Sequence, residues 1–189
     1  KILNLWAKKY GNKQGYQLSC CINNPFFKEG QLNQLISNAL EGQRYWNINF
    51  LPFLKTNSEM NELINSIDID LSGLSGAEGW GLPSFNSCAL GKWPIVLNCT
   101  SHKDWANEKN SILIEPDGKT PAYDGQFFAE GQPFNQGNIS TFSNEDFDSS
   151  CEKAVSLVNL GVSNEEGLKI KDSYSYSKTL DNILKIINE

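Results

Sequence analysis

The chain has 189 residues, 39% of them apolar and 20% charged, and its 22 acidic against 16 basic side chains leave a net charge of −6. That balance excludes a fibre, a disordered tail and a uniformly cationic face, so neither nucleic acid nor anionic lipid is expected as a partner. No apolar run approaches the roughly 20 residues of a bilayer span, and the length suits one globular domain or half of a two-lobed protein.

From the first residue, Ile2, Leu5, Trp6 and Tyr10 follow a helical stripe with no capping residue before it, which reads as a chain entered mid-element and part of something longer. A strand is expected over 16–22, a helix over 28–41 and a short strand over 48–50. Thr56 or Asn57 can cap a helix carrying Met60, Leu63, Ile64 and Ile67, and residues 68–71 read as the next strand. Glycines and serines then interrupt the pattern over 72–79. Pro83 opens a helix over 83–90 that Gly91 ends, and the continuous apolar run over 94–97 suits a strand covered on both faces. Residues 112–114 look like one more strand.

Strands alternating with helices at this spacing predict an α/β fold, a single domain over 1–189 whose doubly wound parallel sheet carries helices on both faces. The chain closes with a helix from Asn144, as cap, to Gly161, carrying Phe147, Ala154, Val155 and Val158. Ser163 and Glu166 have the spacing of a capping box, and the last helix sets Leu180, Ile183, Leu184 and Ile187 on a stripe suited to a neighbouring domain.

Five cysteines, Cys20, Cys21, Cys88, Cys99 and Cys151, form an odd set without CxxC spacing, as expected of buried thiols in a reducing compartment. With His102 the one histidine, zinc is not expected. Asp68-Ile69-Asp70 spells the DxD of metal-dependent glycosyltransferases of another fold, yet Ile67, Ile69 and Leu71 alternate with the aspartates as in any strand with one apolar face.

In open α/β sheets ligands bind beyond the carboxyl ends of strands, which directs attention to the loops after Phe50, Leu71 and Leu97. In the second of these, Glu78-Gly79-Trp80-Gly81-Leu82-Pro83 puts a carboxylate and two glycines just before a helix. The glycines let backbone amides approach a ligand, and the unpaired N–H groups of a helix start attract phosphate oxygens. A glycine-rich turn whose glutamate merely faces water is the plain alternative.

The longer string, Glu78-Gly-Trp-Gly-Leu-Pro continuing through Asn86 to Gly91 and Pro94-Ile-Val, resembles the nucleotide-sugar motif of retaining GT-B glycosyltransferases of the group 1, family 4-like type. Asp68 also lies where that family usually has an acidic residue, and the similarity extends from about Tyr16 to the closing helices. The resemblance implies the carboxyl-terminal, donor-binding, Rossmann-like half of such an enzyme. Glu78 would contact hydroxyls of the transferred sugar as the catalytic candidate, while amides around Gly79, Trp80, Gly81 and Leu82 face sugar and diphosphate. Asn86 stands where the family has a second Glu for the ribose; an amide donates as well as accepts and carries no charge.

The implied reaction moves a hexosyl group from a nucleoside diphosphate sugar to an acceptor hydroxyl with retained configuration, without a metal or cofactor, in the cytoplasm. The acceptor lobe and the family's usual Arg and Lys for the diphosphate would precede Lys1, so weak donor binding and no transfer are expected of this chain alone. A noncatalytic nucleotide-sugar or carbohydrate-binding module, and an α/β scaffold without a ligand, are the alternatives.

Three further segments bear on that reading. In the loop after Leu97, His102 and Lys103 could bond hydroxyl or phosphate oxygens, although a lone loop histidine also serves as an ordinary polar residue or helix cap. Leu51-Pro52-Phe53-Leu54 falls where the family receives the base, with Leu54 on the apolar wall; core packing is the other role for Phe53. Residues 117–143 mix Tyr123, Phe127, Phe128 and Phe134 with Gly118, Gly125, Gly131, Gly137 and many amides, which suits carbohydrate, an acceptor or a second lobe, or simply a self-packed hairpin.

Overall fold

The computed structural model describes residues 1–22, 27, 28, 30–123, 128, 129, 131, 133 and 137–188. Gly125, Phe127 and Phe134 lie outside them. The chain forms two compact units, Lys1–Leu63 and Ile64–Glu189.

In the first unit α1 (Ile2–Tyr10) leads to β1 (Leu18–Cys20), α2 (Gln31–Ala39) and β2 (Ile48–Phe50). The expected stripe of α1 buries Trp6, Ala7 and Tyr10. Leu18, Ser19 and Cys20 pair in parallel with Ile48, Asn49 and Phe50. The connection between β1 and β2 runs through α2, as parallel pairing requires. α3 (Asn57–Ser66) begins with the expected cap: Thr56 Oγ1 accepts the Glu59 N–H while the Glu59 carboxylate accepts the N–H groups of Lys55 and Thr56.

The second unit holds β3 (Ile69–Asp70), α4 (Leu82–Ala89), β4 (Trp93–Leu97) and β5 (Ile112–Ile114). The parallel sheet has β4 in the middle, with Ile69 opposite Trp93 and Ile95 opposite Ile112. Every residue of β4 is buried, as its unbroken apolar run predicts. Val96 packs with Cys88 of α4 and Trp105 on one side, and the alternation of a strand sends Ile95 and Leu97 to the other.

A hairpin follows, β6 (Gly118–Pro121) antiparallel to β7 (Asn138–Thr141), so the flanks of the long segment take the self-paired form. α5 (Asn144–Asn159) lies against β4 and β5 and buries Phe147 and Ala154. α6 (Glu165–Ser173) lies against α4. α7 is Tyr176–Ile187.

The fold is therefore mixed α/β with small parallel sheets. Several local expectations need correction. β1 and β3 are shorter than expected, β2 and β5 keep the expected bounds and β4 starts one residue earlier, and the closing helix is two helices, because Tyr174 leaves helical geometry and Ser175 caps α7. Ser143 rather than Asn144 caps α5, its hydroxyl accepting the Asp146 N–H. The start of α6 is not a Ser163–Glu166 box; Asn164 is the cap. The stripe of α7 is exposed, from 42% at Leu180 to 71% at Ile187, and no residue of that helix is buried. No helix among the described residues is long and apolar enough to cross a membrane.

Candidate functional site

The site begins where β3 ends. Asp70 is buried there, and its carboxylate accepts the Ser72 hydroxyl at 2.7 Å. Burial pushes its carboxyl above the usual carboxylate range, and the Ser72 hydrogen bonds only partly offset that. The alternation argument thus holds for Asp68, which is exposed, but not for Asp70, which the sheet encloses. A single 3₁₀ turn, Ser72–Leu74, then lays Gly73 against β4, where a Cβ would come within 2.8 Å of the Ile95 carbonyl.

The glycine loop that follows is held from behind by one segment. Beyond β4 the chain forms a second 3₁₀ turn, Thr100–Asp104. Ser101 Oγ donates to the Glu78 carbonyl at 3.0 Å, and Trp105 Nε1 donates to the Trp80 carbonyl at 2.9 Å. In a trans peptide the N–H of the next residue points opposite to the carbonyl. Fixing those two carbonyls toward residues 101 and 105 therefore turns the N–H groups of Gly79 and Gly81 away from them.

Gly81 has φ 73° and ψ 49° and is the N-cap of α4, which has no side-chain cap. Pro83 brings no N–H, while Leu82 and Ser84 carry first-turn amides with no carbonyl inside the helix to meet. No acceptor among the described residues takes the N–H of Gly79, Gly81, Leu82 or Ser84. Four unpartnered donors thus stand at the positive end of a helix, beside a loop pinned on one side, with Gly79 and Leu82 exposed and Gly81 and Ser84 buried.

The tryptophan between the glycines is an anchor. Its ring meets Phe85 at 5.6 Å and Tyr174 at 5.3 Å, and Phe85 also meets Trp105 at 5.5 Å, each in a tilted or edge arrangement. Tyr174 in turn donates its hydroxyl to the Asp104 carbonyl at 2.6 Å. Trp80 contributes backbone to the site while its side chain sits in this cluster.

The remaining candidates fall into place on this frame. Glu78 is half-buried at the head of the loop and Gly79 is open, with nothing within 4 Å of where a Cβ would stand. Leu82, 60% exposed, and exposed Asn86 are four residues apart and share one face of α4. Lys103 is exposed on the second 3₁₀ turn. Leu54 belongs to the first unit, half-buried after β2, and neighbouring Phe53 is 62% exposed rather than in a core.

His102 is not the surface loop residue its setting suggested. It is fully buried, its Nδ1 lies 3.0 Å from the Leu97 carbonyl, and its Nε2 has no hydrogen-bond partner. The hairpin also touches the loop: Ser140 N–H donates to the Gly76 carbonyl at 3.1 Å, and a Cβ at Gly76 would strike the Ser140 carbonyl.

Sequence reasoning missed Ser101, Trp105 and Tyr174, which have no local signature. Thr100, with φ 48°, is a β-branched residue in the left-handed region, and a backbone outlier of that kind is invisible in sequence. No model of a known protein family matches the chain, and neither does any curated protein.

Proposed function

We propose that the chain is the donor-binding part of a retaining glycosyltransferase of the GT-B group, moving a hexosyl unit from a nucleoside diphosphate sugar to an acceptor hydroxyl. The observation that carries this reading is the uncapped start of α4, with the amides of Gly79, Gly81, Leu82 and Ser84 left without an acceptor among the described residues. Such a set of donors suits a diphosphate, whose oxygens would act as the missing cap.

In this reading Glu78, at the head of the loop, holds sugar hydroxyls, and the amides and helix end stabilise charge on the departing diphosphate. Leu82 and Asn86 line the α4 face toward the nucleoside, and Lys103 supplies a cation from the adjoining turn. The parallel ladders fit the doubly wound, Rossmann-like half of a GT-B fold. The acceptor, a second lobe and a cytoplasmic setting follow from the resemblance, which also implies a metal-independent reaction.

Calorimetry with UDP- and GDP-hexoses tests the reading. The chain should bind one of them, and Glu78→Ala should weaken the sugar nucleotide about tenfold while leaving the free nucleoside diphosphate nearly unchanged. Failure of every sugar nucleotide to bind, or equal loss for both ligands, refutes it. The exposed amide of Asn86, where the resemblance has a carboxylate, favours a second reading as a noncatalytic nucleotide-sugar-binding module. A product assay on the full coding sequence separates the two.

A further inference from the structure

His102 is the one buried side-chain polar atom without a partner among the described residues, and it lies against the N-cap of α4. The Leu97 carbonyl can only accept, so Nδ1 carries a proton and donates to it, and Nε2 is the ring nitrogen left without a partner. Nε2 lies against Gly81: a Cβ there would collide with Nε2 and stand 2.8 Å from Cδ2. Space that Ser, Thr, Asn or Asp would fill at an ordinary N-cap is taken by the imidazole. The ring is also fixed edge-on to Trp105, 5.9 Å away, whose indole holds the Trp80 carbonyl.

We infer that His102 is a positioning residue of the anion cradle, its ring standing in place of a cap so that the start of α4 stays open to the ligand. The inference rests on the donor-binding reading and adds to it a residue that touches no ligand. Three fixed contacts place the ring, from the Leu97 carbonyl, the Trp105 indole and the Gly81 backbone. In this inference Nε2 faces the positive helix end unprotonated, as an acceptor does, without withdrawing any of the four unpartnered amides. Gly81 is required twice over, by its positive φ and by the imidazole.

The test uses the whole 189-residue chain, inorganic pyrophosphate as probe, and a double-mutant cycle. His102→Asn keeps an amide donor near the Nδ1 position for Leu97 and vacates the Nε2 position; His102→Gln places an amide near Nε2. Gly81→Ala should weaken pyrophosphate about tenfold or more in the wild-type background and only about threefold with Asn at 102, where the new methyl has room. His102→Asn alone should weaken pyrophosphate about fivefold with little change in melting temperature, and His102→Gln should recover part of that. The ¹⁵N resonance of His102 Nε2 should be that of an unprotonated ring nitrogen and should move on pyrophosphate binding.

Equal Gly81→Ala losses in both backgrounds overturn the inference, as does a protonated Nε2, or a His102→Asn chain that melts lower yet binds pyrophosphate unchanged. Wild-type chain that binds neither pyrophosphate nor any nucleoside diphosphate hexose overturns the donor reading itself. Wild-type binding without coupling between 81 and 102 overturns the positioning role alone.

Discussion

Each unit of the chain contains a nearly fully buried asparagine whose side chain bonds mainly to backbone, but the two serve different ends. In the first unit Asn47 Nδ2 donates to the carbonyls of Tyr10, Lys13 and Tyr16, and its Oδ1 accepts the Asn12 N–H. These partners are the last residue of α1 and the turn that leads to β1. In the second unit Asn164 Nδ2 donates to the carbonyls of Lys92 and Asn110, and its Oδ1 caps α6 through the Gly167 N–H. Asn110 extends the chain of contacts, donating to the Trp105 carbonyl at 2.9 Å and accepting from Asn107 N–H and Ser111 Oγ. Cys88 joins it through a thiol donating to the Asn110 carbonyl, and burial pushes that thiol up to about 12. A buried amide can therefore close a local turn, or it can tie distant elements into one frame. The second kind leads to Trp105 and so to the loop whose amides form the site.

Removing each asparagine separates these roles and gives the largest effects. Asn164→Ala strands the Lys92 carbonyl, leaves the Asn110 carbonyl with the Cys88 thiol alone and removes a helix cap, which should lower stability by about 3 kcal/mol in urea titrations. It should also weaken pyrophosphate, because Trp105 loses part of its support. Asn47→Ala strands the carbonyls of Lys13 and Tyr16, leaves that of Tyr10 with the Lys13 N–H, and should lower stability by about 2 kcal/mol with pyrophosphate affinity unchanged. If both variants weaken the anion equally, or neither does, the proposed difference between the networks is wrong.

This contrast also marks what was legible in the sequence. Helices α1, α3 and α4 and strands β3, β4 and β5 followed from periodicity, capping residues and the placement of Pro83, because those signals act within a few residues. The glycine loop was legible for the same reason. The clamp was not, since Ser101, Trp105 and Tyr174 reach the loop across separations of 23, 25 and, for the Asp104 carbonyl, 70 residues. Asn164 was read within a capping box, yet its cap contact accounts for only one of its hydrogen bonds and the others depend on where β4 and β5 bring Lys92 and Asn110. The burial of Asp70 likewise depends on packing around the sheet that a period-two pattern does not specify.

A second contrast sets Asp70 against Glu59. Glu59 is exposed, and the N–H groups of Thr56 and Lys55 hold its carboxyl below the usual range. Asp70 is buried, and loss of solvent holds its carboxyl above that range. A carboxyl raised by folding binds its proton more tightly in the native chain, so its contribution is fully present below the unfolded value of about 3.9 and is lost as pH rises through the folded value. Asp70→Asn keeps an acceptor for the Ser72 hydroxyl without the charge. The variant should be more stable than the wild type at pH 7, the gap closing as pH falls into the ordinary carboxylate range. Parallel urea melts at pH 4 and pH 7 check this; a gap that widens on acidification would mean that the Ser72 bonds outweigh desolvation.

The smallest effect concerns the strained start of the clamp. Thr100 lies at φ 48°, where its Cβ crowds the backbone at about 1–2 kcal/mol, and glycine would relieve that crowding. Glycine also loosens the unfolded chain by about 0.5–1 kcal/mol, so Thr100→Gly should change overall stability by no more than about 0.5 kcal/mol. Ser101 and His102 follow directly, and their aim at the Glu78 carbonyl and Gly81 depends on how the chain leaves Cys99. A freer hinge should therefore weaken pyrophosphate about threefold even though melting hardly moves. Affinity loss without stability loss would locate the value of this backbone conformation in holding the site. A stabilised variant with unchanged affinity would show instead that Thr100 is strain the fold tolerates and the cradle does not use.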